Sequence, residues 1–370
     1  MKRPPLFITL LGVAFLILLG VGLASDIRSM PPPLDTTCQF EEAEVRKEQP
    51  SFPVDAPPSG SGDKTFGRQE SPATFEWDQL SPRAGFGLTS SRDAETWARR
   101  LGAGWYLDWR VGRRYLAQRP EHWQMVRLAR GCVAPSKEAI RWLAAHYPGN
   151  VWVIGNEPDN VWQDNVVPEE YAQVYHDLYY LIKDADPTAS IAVGGVTQAT
   201  PLRLAYLDRV LTAYQALYDE TMPVDWWTVH GFVLREEAGD WGAGIPAGFL
   251  ATDSGKLYQK VENGSVDIFE EHVIAFRTWM ADRGYQDKPL AITEFGILID
   301  PIYGFTPEVV AVYLWDTFTW LGEARDDQIG YPEDDHRLVQ RWAWFSLYDP
   351  LYPTSNLANL KADALTEIGQ

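Results

Sequence analysis

Val151-Trp152-Val153-Ile154-Gly155-Asn156-Glu157-Pro158 is an apolar, β-branched run that ends in a polar turn; a helical pattern follows from Pro168 to Ala185, and a second apolar run starts at Ser190. This is one βαβ unit. The runs have strand length, and the helix carries proline in its first turn, where a missing N–H costs nothing. Working outward, strands are expected at Ala84 to Leu88, Gly104 to Arg110, Trp123 to Arg130, Val151 to Gly155, Ser190 to Val196, Val224 to Gly231, Pro289 to Gly296 and Arg341 to Tyr348. The clearest helical segments are Ser136 to His146, Pro168 to Ala185, Pro201 to Tyr218, Ile268 to Arg283 and Pro307 to Leu321. Eight units within about 270 residues fit a single (β/α)₈ TIM barrel of the α/β class better than a doubly wound sheet. No glycine-rich phosphate fingerprint follows the first strand, which weighs against a dinucleotide site.

Ahead of the barrel the composition changes twice. Lys2 and Arg3 precede an uncharged apolar run from Leu6 to Ala24, close to the length that crosses a bilayer. Residues 1–25 therefore read as a signal peptide or a signal anchor, with the positive charge before the run directing the rest outward. Residues 26–80, rich in Pro, Ser, Gly and charge, read as a linker. The expected organisation is 1–25 signal or anchor, 26–80 linker and 81–360 barrel. The expected location is extracytoplasmic, either secreted or held at the cell membrane. The chain has two cysteines, Cys38 and Cys132. They define no metal site, and either one disulfide or two thiols fits them.

The net charge of −19 repels nucleic acid and anionic lipid headgroups but leaves a neutral substrate unaffected. Sixteen Trp, 17 Tyr and 15 Phe raise the aromatic share to 13%, a density that lines sugar-binding clefts as well as filling cores. The segment from Val233 to Asp267 is too long for a plain βα connection, and loops of that length tend to be functional.

In a TIM barrel the strands deliver their functional residues at their C-terminal ends. Two glutamates occupy such ends, Glu157 in Gly155-Asn156-Glu157-Pro158 and Glu294 in Ile292-Thr293-Glu294-Phe295-Gly296. The two-residue period of a strand turns both toward the mouth. Cleaving a glycosidic bond takes one carboxyl group that is protonated and one that is ionised, so Glu157 is the candidate general acid/base and Glu294 the candidate nucleophile. Taken alone, Asn156-Glu157-Pro158 can also be a strand-end turn with its glutamate near a helix start. Asn156 is a candidate for a sugar 2-hydroxyl or for a turn-stabilising bond, and His230 for orienting the nucleophile or for a structural role. Trp344 is a candidate floor under the sugar or a core ring. Trp105, Tyr106, Asp108 and Trp109 crowd the second strand, and only those facing the mouth can meet substrate. The six histidines form no ligand-spaced pair, and the acidic run of Asp326, Asp327, Glu333, Asp334 and Asp335 reads as a solvated loop rather than a calcium site. No cofactor or metal is expected, and no Gly-x-Ser-x-Gly elbow carries a serine nucleophile.

Five segments together resemble one family. Gly104 to Trp109, Gly155 to Asp159, Val224 to His230, Ile292 to Gly296 and Arg341 to Phe345 are similar to the Asl1-like glycosyl hydrolase catalytic domain, which includes glycoside hydrolase family 128 within clan A. The resemblance spans about Arg83 to Asp349. It implies a retaining endo-β-1,3-glucanase, with Glu157 and Glu294 inheriting the two catalytic roles and a polysaccharide or oligosaccharide as partner. Two positions depart from the family: Leu107-Asp108-Trp109 stands where Tyr-Asn-Trp is usual, and Gly231 replaces an aromatic after the strand-six histidine. A monomer is expected. The rival readings are a catalytically idle carbohydrate-binding barrel and an envelope transglycosylase using the same two glutamates.

Overall fold

The computed structural model describes residues 81–89, 93–114, 119–128 and 132–370. The apolar run at Leu6 to Ala24 and the linker lie outside the described residues. Among the described residues no helix is long and apolar enough to cross a membrane.

The strands are β1 (Ser81–Gly87), β2 (Ala103–Leu107), β3 (Glu121–His122), β4 (Gln124–Val126), β5 (Val151–Ile154), β6 (Ser190–Val193), β7 (Trp227–His230), β8 (Leu290–Phe295) and β9 (Arg341–Trp344). They form two parallel arcs, one ordered β3-β2-β1-β9-β8-β7 and the other β4-β5-β6. Only Trp123 separates β3 from β4, and parallel bridges Ala192 to Trp226 and Val196 to Val229 join β6 to β7. The arcs thus meet at both ends and make a TIM-like barrel of mixed α/β class. β3 falls just before the third expected strand, Trp123 to Arg130, which β4 occupies; the other barrel strands lie within the expected segments or overlap them, and each ends before the expected C-terminal residue, where the chain turns into loop.

The helices are α1 (Ala94–Leu101), α2 (Lys137–His146), α3 (Pro168–Ala185), α4 (Pro201–Tyr218), α5 (Val266–Asp282) and α6 (Pro307–Glu323). Proline opens α3, α4 and α6, and Thr200, Ser265 and Thr306 accept a first-turn N–H at the starts of α4, α5 and α6. Such caps satisfy donors that the helix itself leaves orphaned. A short antiparallel pair, β10 (Ala358–Asn359) with β11 (Ala364–Leu365), follows β9 and keeps the chain ordered beyond residue 360.

The base of the barrel is filled by rings from separate strands. Trp105 lies 4.7 Å from Trp123, which lies 5.3 Å from Trp226, and the Arg341 guanidinium stands 5.4 Å from the Trp123 ring while pairing with Glu121 at 2.9 Å. Residues from β2, β3, β7 and β9 can touch one another in this way only across the barrel interior. This packing makes the base a rigid platform and leaves the opposite end for chemistry.

Candidate active site

Glu157 sits three residues past the end of β5, in a turn that the backbone adopts at a cost. Gly155 has φ +90°, and a side chain there would press on Leu128, Tyr171 and Asp164. Glu157 itself has φ +43°, a left-handed conformation that costs a non-glycine residue about 1–3 kcal/mol. The turn is held from outside. Buried Asp164 accepts the backbone N–H of Leu128 and of Asn156 and the Nε–H of Arg127, each at 2.8–2.9 Å, and Glu157 N donates to Gly195 O at 3.0 Å. The result aims the Glu157 carboxylate at the barrel axis, where Asn160 Nδ2 donates to Oε2 at 2.7 Å and His230 Nδ1 lies 2.8 Å from Oε1.

Glu294 arrives from β8. The register shifts between Val229–Ile292 and His230–Glu294, which places Thr293 as an extra residue opposite β7. Phe295 then points outward onto Phe269, Phe318 and Trp344. Glu294 turns inward, where Trp109 Nε1 donates to Oε1 at 2.7 Å and His230 Nε2 lies 3.5 Å from the same oxygen. Oε2 of Glu294 accepts no hydrogen bond from the described residues. One buried imidazole therefore stands between the two carboxylates, and both glutamates are only 5% exposed.

Burial pushes the Glu294 carboxyl up to about 7; the His230 charge and the Trp109 N–H pull it down, while the Glu157 charge pushes the same way as burial. Burial opposes a charge on His230, yet Glu294 and Glu157 together outweigh it and raise the imidazole above its ordinary value. The two shifts have different main causes: removal from water keeps a proton on Glu294, and the two neighbouring carboxylates favour a proton on His230.

The other expected site residues divide. Trp109, next to Glu294, faces the mouth and meets Phe345 edge-on at 5.8 Å. Trp105 does not reach the mouth, because it belongs to the packed base. Tyr106 and Asp108 face outward: Tyr106 stacks on His122 at 4.7 Å, and Asp108 pairs with His122 Nε2 at 2.8 Å. Trp344 is likewise turned away from the mouth. Its Nε1 donates to Ser355 O, and its ring packs between β9 and α6 against Tyr313 and Phe318, so the core reading of this residue stands and the sugar-floor reading falls. Phe345, one residue on, takes the inward place, and with Trp109 and Phe232 it forms an aromatic arc beside Glu294. Asn156 lies in the turn with its backbone N–H on Asp164 and its Nδ2 on Gln163, and its Oδ1 has no protein partner. His230 hydrogen-bonds the acid/base candidate and only approaches the nucleophile candidate.

Asn160 and Phe345 were not expected. Strand alternation counted from Arg341, which faces the barrel interior, would have identified Phe345; nothing in the sequence pattern marks Asn160. Cys132 is disulfide-bonded, and the only other cysteine of the chain is Cys38, outside the described residues. Among the described residues no group of His, Cys, Asp and Glu side chains could hold a metal ion. In the acidic run, Asp334 pairs with Arg83 and Arg337 and Asp335 with Arg325. A cleft of about 570 Å³ between the loop at Pro301 to Pro307 and the segment from Tyr348 to Ile368 is lined by neither glutamate.

Fold and site together define a class: a TIM-like barrel that brings two glutamates, one imidazole and an aromatic arc to its mouth. Within that class the fold is similar to that of solved glycoside hydrolase family 128 enzymes. The chain is similar to the GH128 (subgroup II) endo-β-1,3-glucanase of Sorangium cellulosum, with 17% identity, TM-score 0.51, and 78% of this chain and 96% of that one covered. It is similar to the subgroup II enzyme of Pseudomonas viridiflava at 18% identity and TM-score 0.52, covering 78% and 95%. A third similar structure is the subgroup I endo-β-1,3-glucanase of Amycolatopsis mediterranei in complex with laminaritriose, at 15% identity and TM-score 0.50, covering 78% and 97%. No protein-family model matches the sequence, and no curated protein matches it.

Proposed function

We propose that this chain is a retaining glycoside hydrolase acting on a β-linked glucan, in the manner of an endo-β-1,3-glucanase, with Glu294 as nucleophile and Glu157 as general acid/base. The observation that carries the reading is the shared imidazole, which couples two buried carboxylates at the mouth of a barrel whose fold matches glucanases. Burial raises the Glu294 carboxyl to about 7, so this group keeps a proton well above the ordinary carboxylate range. Reaction needs Glu294 ionised and Glu157 protonated. His230 offers a route in its neutral form: Nε2, 3.5 Å from Glu294 Oε1, takes the proton from Glu294 as Nδ1–H gives one to Glu157, leaving Glu294 ionised and Glu157 protonated. Glu294 Oε2 then attacks the anomeric carbon as Glu157 protonates the departing glycosidic oxygen. In the second half Glu157 takes a proton from water, and the water oxygen displaces Glu294.

Retention requires carboxyl groups about 5–5.5 Å apart, whereas inversion leaves a wider gap for water. Contact through the two nitrogens of one imidazole keeps both carboxyl groups in one pocket, and the configuration of the product decides between the two classes. Glu157→Gln and Glu294→Gln variants should each lose turnover by orders of magnitude while folding normally. Proton NMR of early product should show the anomeric configuration of the substrate. Wild-type rates in both variants, or an inverted product, would overturn the assignment.

The rest of the reading is of the same kind. The residues 1–25 export the chain or anchor it, 26–80 tether it and the barrel domain, 81–360 in outline, acts outside the cytoplasm as a monomer. The disulfide at Cys132 supports this location, since such bonds persist in oxidising compartments. Cell fractionation with full-length protein tests it, and a cytosolic pool with reduced thiols would contradict it.

A further inference from the structure

The long segment between β7 and α5 is tied to the Glu157 turn by one buried side chain. Arg203, in the first turn of α4, is fully buried and uses every donor it has. Its Nε donates to Glu236 Oε1 at 2.9 Å, Nη1 to Asp159 O at 2.6 Å and Asp159 Oδ2 at 3.0 Å, and Nη2 to Ala243 O at 3.1 Å and Gly244 O at 2.5 Å. A guanidinium has five N–H groups in a fixed fork, so no other side chain can reproduce this set. Both carboxylates it holds are anchored again. Asp159 accepts Thr197 N, and Glu236 accepts Thr200 Oγ1 at 2.6 Å and Lys256 N at 2.8 Å. Asp159 lies two residues after Glu157 and Glu236 six residues after His230, so the fork joins the turn behind one glutamate to the loop that follows its imidazole partner.

We propose that Arg203 is a positioning residue: through Asp159 and Glu236 it fixes the 233–267 loop against the turn that carries Glu157, and through the Asp159 charge it acts on His230 between the two glutamates. The inference rests on the glycosidase reading for its consequence in catalysis, but not for its structural content. Asp159 carries the smallest of the charge contributions on His230, after those of Glu294 and Glu157. Its charge acts on His230, while the groups acting on it are Arg203 and Glu157. Burial lifts it to about 6 against the pull of Arg203, and the buried Tyr206 hydroxyl also lies within its field. A strut that only supported the fold would change stability and leave these protonations alone.

The test uses the full-length protein and three variants, Arg203→Lys, Asp159→Asn and Glu236→Gln; the last two are isosteric and guard against loss of folding in the first. Hydrogen exchange across 237–256 should speed up at least tenfold in Glu236→Gln and in Arg203→Lys. In Asp159→Asn, the His230 ring resonances should titrate at lower pH than in wild type, because a neighbouring negative charge is gone. With a β-1,3-glucan as substrate, kcat should fall about 10- to 100-fold with KM changed less, as for other removed supports of a reacting group, and the alkaline limb of the Asp159→Asn profile should move to lower pH. Unchanged exchange in folded Glu236→Gln, together with an unmoved His230 titration in Asp159→Asn, would overturn the proposal. If wild type hydrolyses no glycan, the glycosidase reading fails, and the exchange and titration results still decide this inference.

Discussion

Trp109→Phe isolates one hydrogen bond in the site. The change keeps an aromatic ring against Phe345 and removes the N–H that donates to Glu294 Oε1 at 2.7 Å. A hydrogen bond to a charged group in so enclosed a place contributes roughly 1.5–3 kcal/mol, and about 1.4 kcal/mol corresponds to one pH unit or tenfold. The bond favours ionised Glu294, the form that attacks. Without it the Glu294 carboxyl, already raised to about 7 by burial, should rise by about one further pH unit or more. Two effects should appear together in the kcat/KM profile on a β-1,3-glucan oligosaccharide. The plateau should drop about tenfold, because the state with Glu294 ionised and Glu157 protonated becomes rarer, and the alkaline limb should move to higher pH. Some stability is also lost with the smaller ring, which a Tm measured alongside accounts for. A lowered plateau with an unmoved limb would show that Trp109 acts by packing alone, and the argument from its N–H would be wrong.

Glu294→Gln should raise Tm at pH 7.5 by the equivalent of a few kcal/mol at most and leave it unchanged near pH 4, measured by calorimetry. The folded carboxyl is raised from 4.5 to about 7, so the stability it confers when protonated is present at low pH and disappears as pH rises through that window. Phe345→Ala should raise KM for glucan oligosaccharides severalfold, whereas Trp344→Ala should cost roughly 3–5 kcal/mol of stability in denaturant melts with little effect on KM in the protein that remains folded. Reduction of the Cys132 disulfide should lower Tm, by an amount in the range of about 2–4 kcal/mol for a long closed loop, without changing kcat measured below the melting range.

What could be read from the sequence was whatever depends on local period and punctuation. The bounds of α3 and α4 follow from Pro168 and Pro201 at their starts, and α4 stops where Asp219 turns left-handed at φ +54°. Alternation placed Glu157 and Glu294 at strand ends facing one mouth. Alternation alone gives a residue's side of the strand, not its height in the barrel. Trp105 and Trp109 share the inward side of the second strand, yet at about 3.3 Å per residue they stand some 13 Å apart, one in the packed base and one beside a carboxylate. In β9 the inward side is marked by Arg341, a residue that hydrophobic patterning assigns to solvent until its pairing with Glu121 across the barrel is known; that pairing puts Phe345 on the inward side and Trp344 on the outward one.

The same distinction explains why the electrostatics of the site could not be read along the chain. His230 meets Glu157 and Glu294 from a third strand, and Arg203 reaches Asp159, Glu236, Ala243 and Gly244 from a helix start. Each contact spans 33 to 73 residues of sequence. No propensity or period links such positions, since the cost that selects them, an unpaired charge or a donor left without an acceptor in a dry interior, arises only after the strands have closed. Those contacts surround both carboxyl groups; burial raises the Glu294 carboxyl, and the two glutamates raise the His230 imidazole. A barrel with the same two glutamates but without His230 between them would leave two buried carboxylates to settle one proton by repulsion alone, with no path to exchange it. The chemistry proposed here therefore depends as much on the imidazole and its supports as on the pair of acids that the strand ends display.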